Sequence, residues 1–284
     1  MRAARADLCP AGNGSRTLGL VPTMGALHAG HISLVRACRE RCDATVVSIF
    51  VNPTQFGPNE DLSKYPRTFD EDCGLLRGED VDLLFAPPVD EIYPAVGLGS
   101  YVDVPSLADR LDGHSRLGHF RGVATVVTKL FHIVSPDVAF FGQKDAAQVA
   151  VLRAMVRDLD FALEIEVCPI VREDDGLAMS SRNRYLSNTE RMEARALYAS
   201  LCRVMSSAER GMTDASALRK VWHGYLATAP GVRVDYAEIV DPQTLLPLSD
   251  VCDGGLVAVA AWVGGTRLID NIVLPRRPVA EGER

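Results

Sequence analysis

The hydrophobic pattern of the chain changes character near residue 170. Before that point, short apolar runs alternate with segments whose apolar positions recur at helical spacing. Residues 18–21 form a short apolar run ending at Pro22, and a helical pattern follows over about 30–41. Residues 44–51 are β-branched and almost continuously apolar, which predicts a buried strand. A helix is expected over 68–77 and a strand over 81–85, closed by Pro87 and Pro88. A stripe through Val123, Val126, Val127, Leu130 and Phe131 predicts a helix over 119–134. Residues 137–141 read as a strand, 143–158 as a helix and 163–170 as a strand again. Continuous apolar strands interleaved with helices predict a parallel sheet covered on both faces, with ligands bound at the carboxyl ends of its strands.

From Val171 onward the signals differ. Residues 172–176 form a polar turn, and Ser187-Asn-Thr-Glu190 is a capping box that opens a helix running towards Gly211. A second helix is expected over 215–227. Strands are expected over 233–240, 256–263 and 266–273, the last two joined through Gly264-Gly265, a hairpin turn. The fold class expected is therefore α/β, with a principal domain over 1–170 and a smaller α+β domain over 171–284.

Composition narrows the function classes. The chain has 284 residues, 47% of them hydrophobic and 24% charged, enough for a sizeable buried core. Its formal net charge of −7 argues against nucleic acid as a partner, because phosphate backbones are held by excess Lys and Arg. An anionic ligand then needs a locally positive pocket. No apolar run reaches the roughly 18 residues of a membrane span, and residues 1–16 lack the apolar core of a signal peptide. Seven cysteines without a CxxC pair suggest reduced thiols in the cytoplasm. Cys38 and Cys42 read as packed or surface thiols, not as metal ligands.

Three polar constellations carry candidate chemistry. His28-Ala-Gly-His31 follows a strand and turn and opens a helix, placing two imidazoles on one face where free N–H groups favour an anion. Gly30 would let backbone approach a ligand closely. The plainer alternative is that one histidine caps the helix and the other packs. Zinc is disfavoured, since the spacing is three and Ala29, not Glu, follows the first histidine. Gly142, Gln143, Lys144 and Asp145 follow another strand, where Lys144 can reach a polyphosphate and Asp145 can meet ribose hydroxyls or cap the next helix. Met179, Ser180, Ser181 and Arg182 lie in the loop after the last apolar strand, with Gly176 as a hinge, and suit a phosphate clamp or a polar linker.

Together these segments carry a resemblance. Leu20-Val-Pro-Thr-Met-Gly-Ala-Leu-His-Ala-Gly-His31 resembles the signature of the pantothenate synthetase (pantoate–β-alanine ligase) family, within the HxGH nucleotidyltransferase superfamily. So do Ser48-Ile-Phe-Val-Asn-Pro-Thr-Gln-Phe56, Tyr65-Pro-Arg-Thr68, Gly118-His-Phe-Arg-Gly122, Phe141-Gly-Gln-Lys-Asp145, Ser180-Ser-Arg-Asn183, Ala260-Ala-Trp-Val-Gly264 and Arg267-Leu-Ile-Asp-Asn271. The resemblance spans about 18–274. It implies a cytoplasmic homodimer with a Rossmann-like ATP- and pantoate-binding domain over 1–170 and a domain over 171–284 closing over the active site. ATP with Mg²⁺ would adenylate pantoate, releasing pyrophosphate, and β-alanine would then give pantothenate and AMP.

By the same resemblance, Met24, Gly25, Ala26, Leu27, His28, Ala29, Gly30 and His31 bind ATP, with Gly142, Gln143, Lys144, Asp145, Val171, Met179, Ser180, Ser181 and Arg182. The catalytic set is His28, His31, Lys144, Ser180, Ser181 and Arg182, with His31 as a proton donor. Gln55 and Gln148 would hold pantoate, Pro22 and Met24 would line its apolar side, and Asp72, with Glu71, marks a metal region. The chain departs from the family pattern at Ala29, often acidic, at Ala146 and Ala147, usually aromatic and Gln, at Leu75, which offers no polar metal contact, and in a shorter stretch before the first strand. Two other functions fit the residues: an HxGH nucleotidyltransferase acting on a phosphorylated acceptor, against which Gln55 and Gln148 argue, and a nucleotide-binding regulator without turnover.

Overall fold

A computed structural model describes residues 1–8, 16–58, 60–94 and 99–277. Cys9 and most of the segment between the first helix and the first strand lie outside the described residues. The chain divides into two compact units: residues 1–171 with Met179–Ser181, and Arg172–Ala178 with Arg182–Arg284.

The first unit opens with a short helix that the sequence pattern did not predict, α1 (Arg2–Leu8). Its parallel sheet is built from β1 (Leu18–Thr23), β2 (Ala44–Ile49), β3 (Leu83–Phe85), β4 (Val138–Gly142) and β5 (Glu164–Cys168). Between them run α2 (Ala29–Arg41), α3 (Phe69–Gly78), the single turns α4 (Val89–Ile92) and α5 (Asp112–Ser115), α6 (His119–Val134) and α7 (Ala146–Asp158). The order across the sheet is β3-β2-β1-β4-β5, and every neighbouring pair is parallel. This is the doubly wound α/β arrangement that the apolar runs predicted.

The central strands owe their continuous apolarity to burial on both faces. Leu18, Leu20, Val21, Val46, Val47, Ala139 and Phe140 are all fully buried. One face packs on α2 and α3 through Leu34, Val35, Cys38 and Leu76. Cys38 and Cys42 belong to this core, and burial pushes the Cys38 thiol up to about 12, so it stays protonated at neutral pH. β3 is shorter than expected, starting at Leu83, because the Asp82 carboxylate leaves the strand to accept the N–H of Thr45 at 2.8 Å. The expected helix over 143–158 begins as a 3₁₀ turn (Gln143–Asp145) before α7.

The second unit contains α8 (Asn188–Glu209), α9 (Ala215–Leu226) and the antiparallel sheet β6 (Val232–Val240), β7 (Gly255–Val263) and β8 (Thr266–Leu274). Ser187 and Glu190 form the predicted capping box, at 3.3 and 2.8 Å. The β7–β8 hairpin closes with Val263 paired to Thr266 across Gly264-Gly265. Its core centres on Trp222, whose indole N–H donates to Ser200 Oγ at 2.9 Å. Arg172 makes a two-pronged pair with the buried Asp270, at 2.7 and 3.0 Å, and stacks on Tyr198.

Among the described residues, no helix is long and apolar enough to cross a membrane.

Candidate functional site

In the first unit the sheet order reverses between β1 and β4. From β1 the chain winds outward through β2 to β3, whereas β4 pairs with the other side of β1, matching Gly19 with Val138 and Leu20 with Ala139. At such a switch point the loops leaving adjacent strands diverge and open a crevice at their carboxyl ends. Residues 24–28 leave β1 there and residues 143–145 leave β4. The loop carrying Gln55 leaves β2, the next strand over.

His28 and His31 are locked to each other through the backbone. His28 is the N-cap of α2, and its Nδ1 accepts the N–H of Gly30 at 3.1 Å. In return, Nδ1 of His31 accepts the N–H of His28 at 3.3 Å, so two imidazoles complete a capping box usually made by Ser and Glu. The rings lie 4.1 Å apart, tilted by 41°. Because each Nδ1 is an acceptor, the proton of each neutral ring sits on Nε2, giving two neighbouring N–H donors. Burial, reinforced by His28 and Lys144, pushes His31 down to about 3, with Asp145 opposing. At neutral pH His31 in the unliganded protein is therefore neutral and offers an Nε2–H donor.

The capping alternative and the phosphate site are thus compatible, and several amides around the cap already have acceptors. Gly25 N–H is taken by Thr23 Oγ1 at 3.2 Å, Ala26 and Leu27 N–H by Asp72, and Gly30 N–H by His28. His31 N–H bonds the His28 carbonyl at 2.8 Å. These amides are spent inside the loop and its cap. At Gly30 a Cβ would lie 2.9 Å from His28 Cε1 and 3.0 Å from Nδ1. Glycine makes room for the capping ring. Ala29 is exposed.

Lys144 contacts both oxygens of Asp145, at 3.2 and 3.3 Å, and both residues lie close enough to His31 to shift its protonation. Asp145 stands at the N-cap position of α7 but makes no side-chain cap, contrary to one of its expected roles. Gly142 ends β4, and Gln143 is half-buried beside Lys144. Met179 donates its N–H to the Val171 carbonyl at 3.0 Å, and its Cβ lies 3.7 Å from where a Gly30 side chain would begin. That contact brings the loop carrying Ser180 and Ser181 to the start of α2. Arg182 belongs to the second unit, in the 3₁₀ turn Ser181–Tyr185.

Gln55 ends a 3₁₀ turn (Pro53–Gln55) after β2. Its Oε1 accepts from Asn52 at 3.0 Å and its Nε2 reaches Met24 Sδ at 3.1 Å, so two of the expected substrate residues touch. Pro22 lies one residue before the end of β1. Gln148 sits half-buried in the first turn of α7, next to Lys144 and Asp145 in sequence.

Sequence reasoning assigned no role to the residues that hold Gln55. Asn52 is buried; it accepts from Tyr93 Oη at 2.8 Å and Thr54 Oγ1 at 2.9 Å, and donates to the Gly122 carbonyl at 3.1 Å. A second chain starts at Glu60, paired twice with Arg116 at 2.7 Å. Arg116 Nη1 lies 2.8 Å from His119 Nε2, and His119 Nδ1 lies 2.8 Å from the Gln55 carbonyl. Since Arg116 can only donate, His119 Nε2 accepts and its Nδ1–H donates to Gln55. Burial, with help from Arg116, pushes His119 down to about 4. This network borders a cavity of about 660 Å³ whose lining includes Gln55, Glu60, Tyr101, Arg116, His119 and Arg121. The Asn-Pro-Thr-Gln and Gly-His-Phe-Arg-Gly segments stood out in the sequence, but only the fold shows that they meet.

The structure buries Asp72, the residue expected to mark a metal region. It is 2% exposed, its Oδ2 accepts from Ala26 N–H at 2.9 Å, and its Oδ1 accepts from Leu27 N–H at 2.8 Å and Thr68 Oγ1 at 3.2 Å. Glu71 and Leu75 are exposed, and no group of three His, Cys, Asp or Glu side chains among the described residues could hold a metal ion.

Comparison with known proteins identifies the family. The family model described as pantoate-beta-alanine ligase matches residues 1–273. The chain is 58% identical over 269 residues to the pantothenate synthetase of Koribacter versatilis, covering 95% of this chain and 92% of that protein. It is 60% identical over 267 residues to that of Acidobacterium capsulatum, covering 94% and 89%. Among solved structures, the pantothenate synthetase of Thermus thermophilus superposes with a TM-score of 0.89 at 46% identity, covering 95% of this chain and 96% of that one. The pantoate-beta-alanine ligase of Francisella tularensis, complexed with beta-gamma ATP and beta-alanine, gives 0.77 at 34% identity, covering 96% and 95%. The family match spans nearly the whole chain, and the chain belongs to the pantoate–β-alanine ligase family.

Proposed function

We propose that this enzyme condenses pantoate with β-alanine at the expense of ATP, through a pantoyl-adenylate intermediate formed at the β1/β4 switch point. The observation that carries the proposal is the pair of Nε2–H donors of His28 and His31 beside Lys144, with Gln55 on the neighbouring strand end.

A carboxylate is a poor acylating agent because oxide is a poor leaving group, and joining it to AMP supplies a better one. A pantoate carboxylate oxygen attacks the α-phosphorus of ATP, the bond to the bridging oxygen breaks, and pyrophosphate departs. The amine of β-alanine then attacks the acyl carbon, AMP leaves, and the nitrogen loses its proton to solvent. His28 and His31 donate through Nε2–H to phosphoryl oxygens where charge accumulates, as preorganised groups that need no reorientation. Lys144 exchanges part of its pairing with Asp145 for the polyphosphate. Ser180 and Ser181 add hydroxyl donors on the loop that Met179 seats against α2. Residues 24–31, Gly142, Gln143 and Val171 form the rest of the nucleotide site.

Gln55 and Gln148 hold pantoate, since an amide both donates to a carboxylate and accepts from a hydroxyl. Pro22 and Met24 line its apolar side. Mg²⁺ enters with ATP as part of the substrate, keeping most of its shell as water and phosphate oxygen. The homodimer, the cytoplasmic setting, the role of Arg182 and the closing role of residues 171–284 are supported by the family resemblance.

Product analysis tests the proposal. In steady turnover one AMP and one pyrophosphate should appear per pantothenate, and only when both pantoate and β-alanine are present. Continuous pyrophosphate release without AMP would indicate transfer of the nucleotide to a different acceptor, and bound ATP without products would indicate a regulator.

A further inference from the structure

We propose that Asp72 is a positioning residue that fastens the backbone of residues 25–28, so that His28 and His31 keep their orientation, and that it is not a ligand for Mg²⁺. The inference rests on the proposed nucleotide-binding role of that loop. Both carboxylate oxygens point at the loop: Oδ2 receives Ala26 N–H at 2.9 Å and Oδ1 receives Leu27 N–H at 2.8 Å, with Thr68 Oγ1 adding a third donor at 3.2 Å. The carboxylate is buried and lies in the first turn of α3, where the helix terminus favours negative charge.

The loop needs such a fastening. Gly25 and Ala26 are successive residues with positive φ, 78° and 51°, and the second carries a side chain that disfavours this region. At Gly25 a Cβ would lie 3.0 Å from Asp72 Oδ2 and 3.1 Å from Ile49 Cγ2, so the loop lies directly on the carboxylate. Two adjacent amides aimed at one side chain require an acceptor at both of its ends, which aspartate supplies and asparagine does not. The following amide, on His28, is then held by His31. Asp72 thus begins a continuous run of satisfied backbone donors that ends at the imidazole pair.

The same contacts disagree with a metal site. Mg²⁺ demands a near-octahedral set of oxygens, and here the Asp72 oxygens already face N–H and O–H dipoles whose positive ends would repel a cation. Neither Glu71 nor Leu75 is buried beside them.

Asp72→Asn separates the two roles. Amide exchange at Ala26 and Leu27 should accelerate in the unliganded protein, and ATP binding measured in EDTA should weaken, each by about tenfold, the effect of losing one hydrogen bond to a charged group. The Mg²⁺ concentration for half-maximal pyrophosphate release should stay where it is in the wild type. Unchanged exchange at both amides with a markedly raised Mg²⁺ requirement would overturn the proposal. Should the variant fail to fold, the wild type decides: the Ala26 and Leu27 amide resonances should not move when Mg²⁺ alone is added, and a saturable shift would overturn it. A protein that neither binds ATP nor turns over would refute the proposed function, while the exchange data would still report on Asp72.

Discussion

His28 donates its backbone N–H to Nδ1 of His31 at 3.3 Å, while its own Nδ1 receives Gly30. This reciprocal cap fixes both tautomers and leaves the proton of each ring on Nε2. In the unliganded enzyme, imidazole ¹⁵N shifts should show His31 neutral and protonated on Nε2 from pH 8 down to about 4, since it is held near 3. A His31 titration near 6.5 would contradict the geometry.

Removing either donor group should cost adenylation more than folding. His31→Ala and Lys144→Ala should each slow pantoate-dependent pyrophosphate release by roughly a hundredfold, as expected for a lost transition-state donor. Near wild-type rates in both would refute their roles.

Gly30→Ala probes the same site from behind. The added methyl would displace the His28 ring, because a Cβ there falls 2.9 Å from Cε1. Loss of the cap should cost about 1 kcal/mol, read from denaturant unfolding. Adenylation should fall by about tenfold or more as the ring moves. Full activity would show that His28 is free to act from another position.

Much of this was legible in the sequence, for physical reasons that differ by element. β1, β2 and β4 announce themselves because strands buried on both faces are almost continuously apolar, and α6 runs over the predicted residues because its stripe is unbroken. The Ser187–Glu190 box and the Gly264-Gly265 turn are local chemistry. The partners of the site are not local. Asp72 reaches Ala26 from 46 residues away, and His119 reaches the Gln55 carbonyl from 64 away. Spacing marked the helix start, but only the fold shows that the loop amides just before it, at Gly25, Ala26 and Leu27, are taken by Thr23 and Asp72. Ala147, one of the departures from the family pattern, is buried in the core, which its sequence position alone does not show.

The His119 relay makes stability depend on pH. Its ordinary value of 6.5 is lowered to about 4 in the fold, so between those values the unfolded chain binds more protons. Stability is therefore greatest above pH 6.5 and is lost as pH falls towards 4, by on the order of 3 kcal/mol in all. His119→Asn should flatten that part of the dependence, measured by denaturant unfolding at pH 7 and pH 5. It should also raise the pantoate KM by releasing the Gln55 carbonyl. An unchanged slope would show that His119 is not the group responsible.

Gln148→Ala should raise the pantoate KM by about tenfold and leave ATP affinity unchanged, as for one lost charge-assisted hydrogen bond. The reverse pattern would move Gln148 from the acid site to the nucleotide site.

The adenylate intermediate is the central claim, and rapid-quench measurement of pyrophosphate release from ATP, Mg²⁺ and pantoate tests it most directly. Without β-alanine, a burst of about one pyrophosphate per active site should appear and stop, as for an accumulated covalent intermediate. Adding β-alanine should convert it to steady turnover with AMP. Absence of any pantoate-dependent release until β-alanine is present would contradict the two-step account.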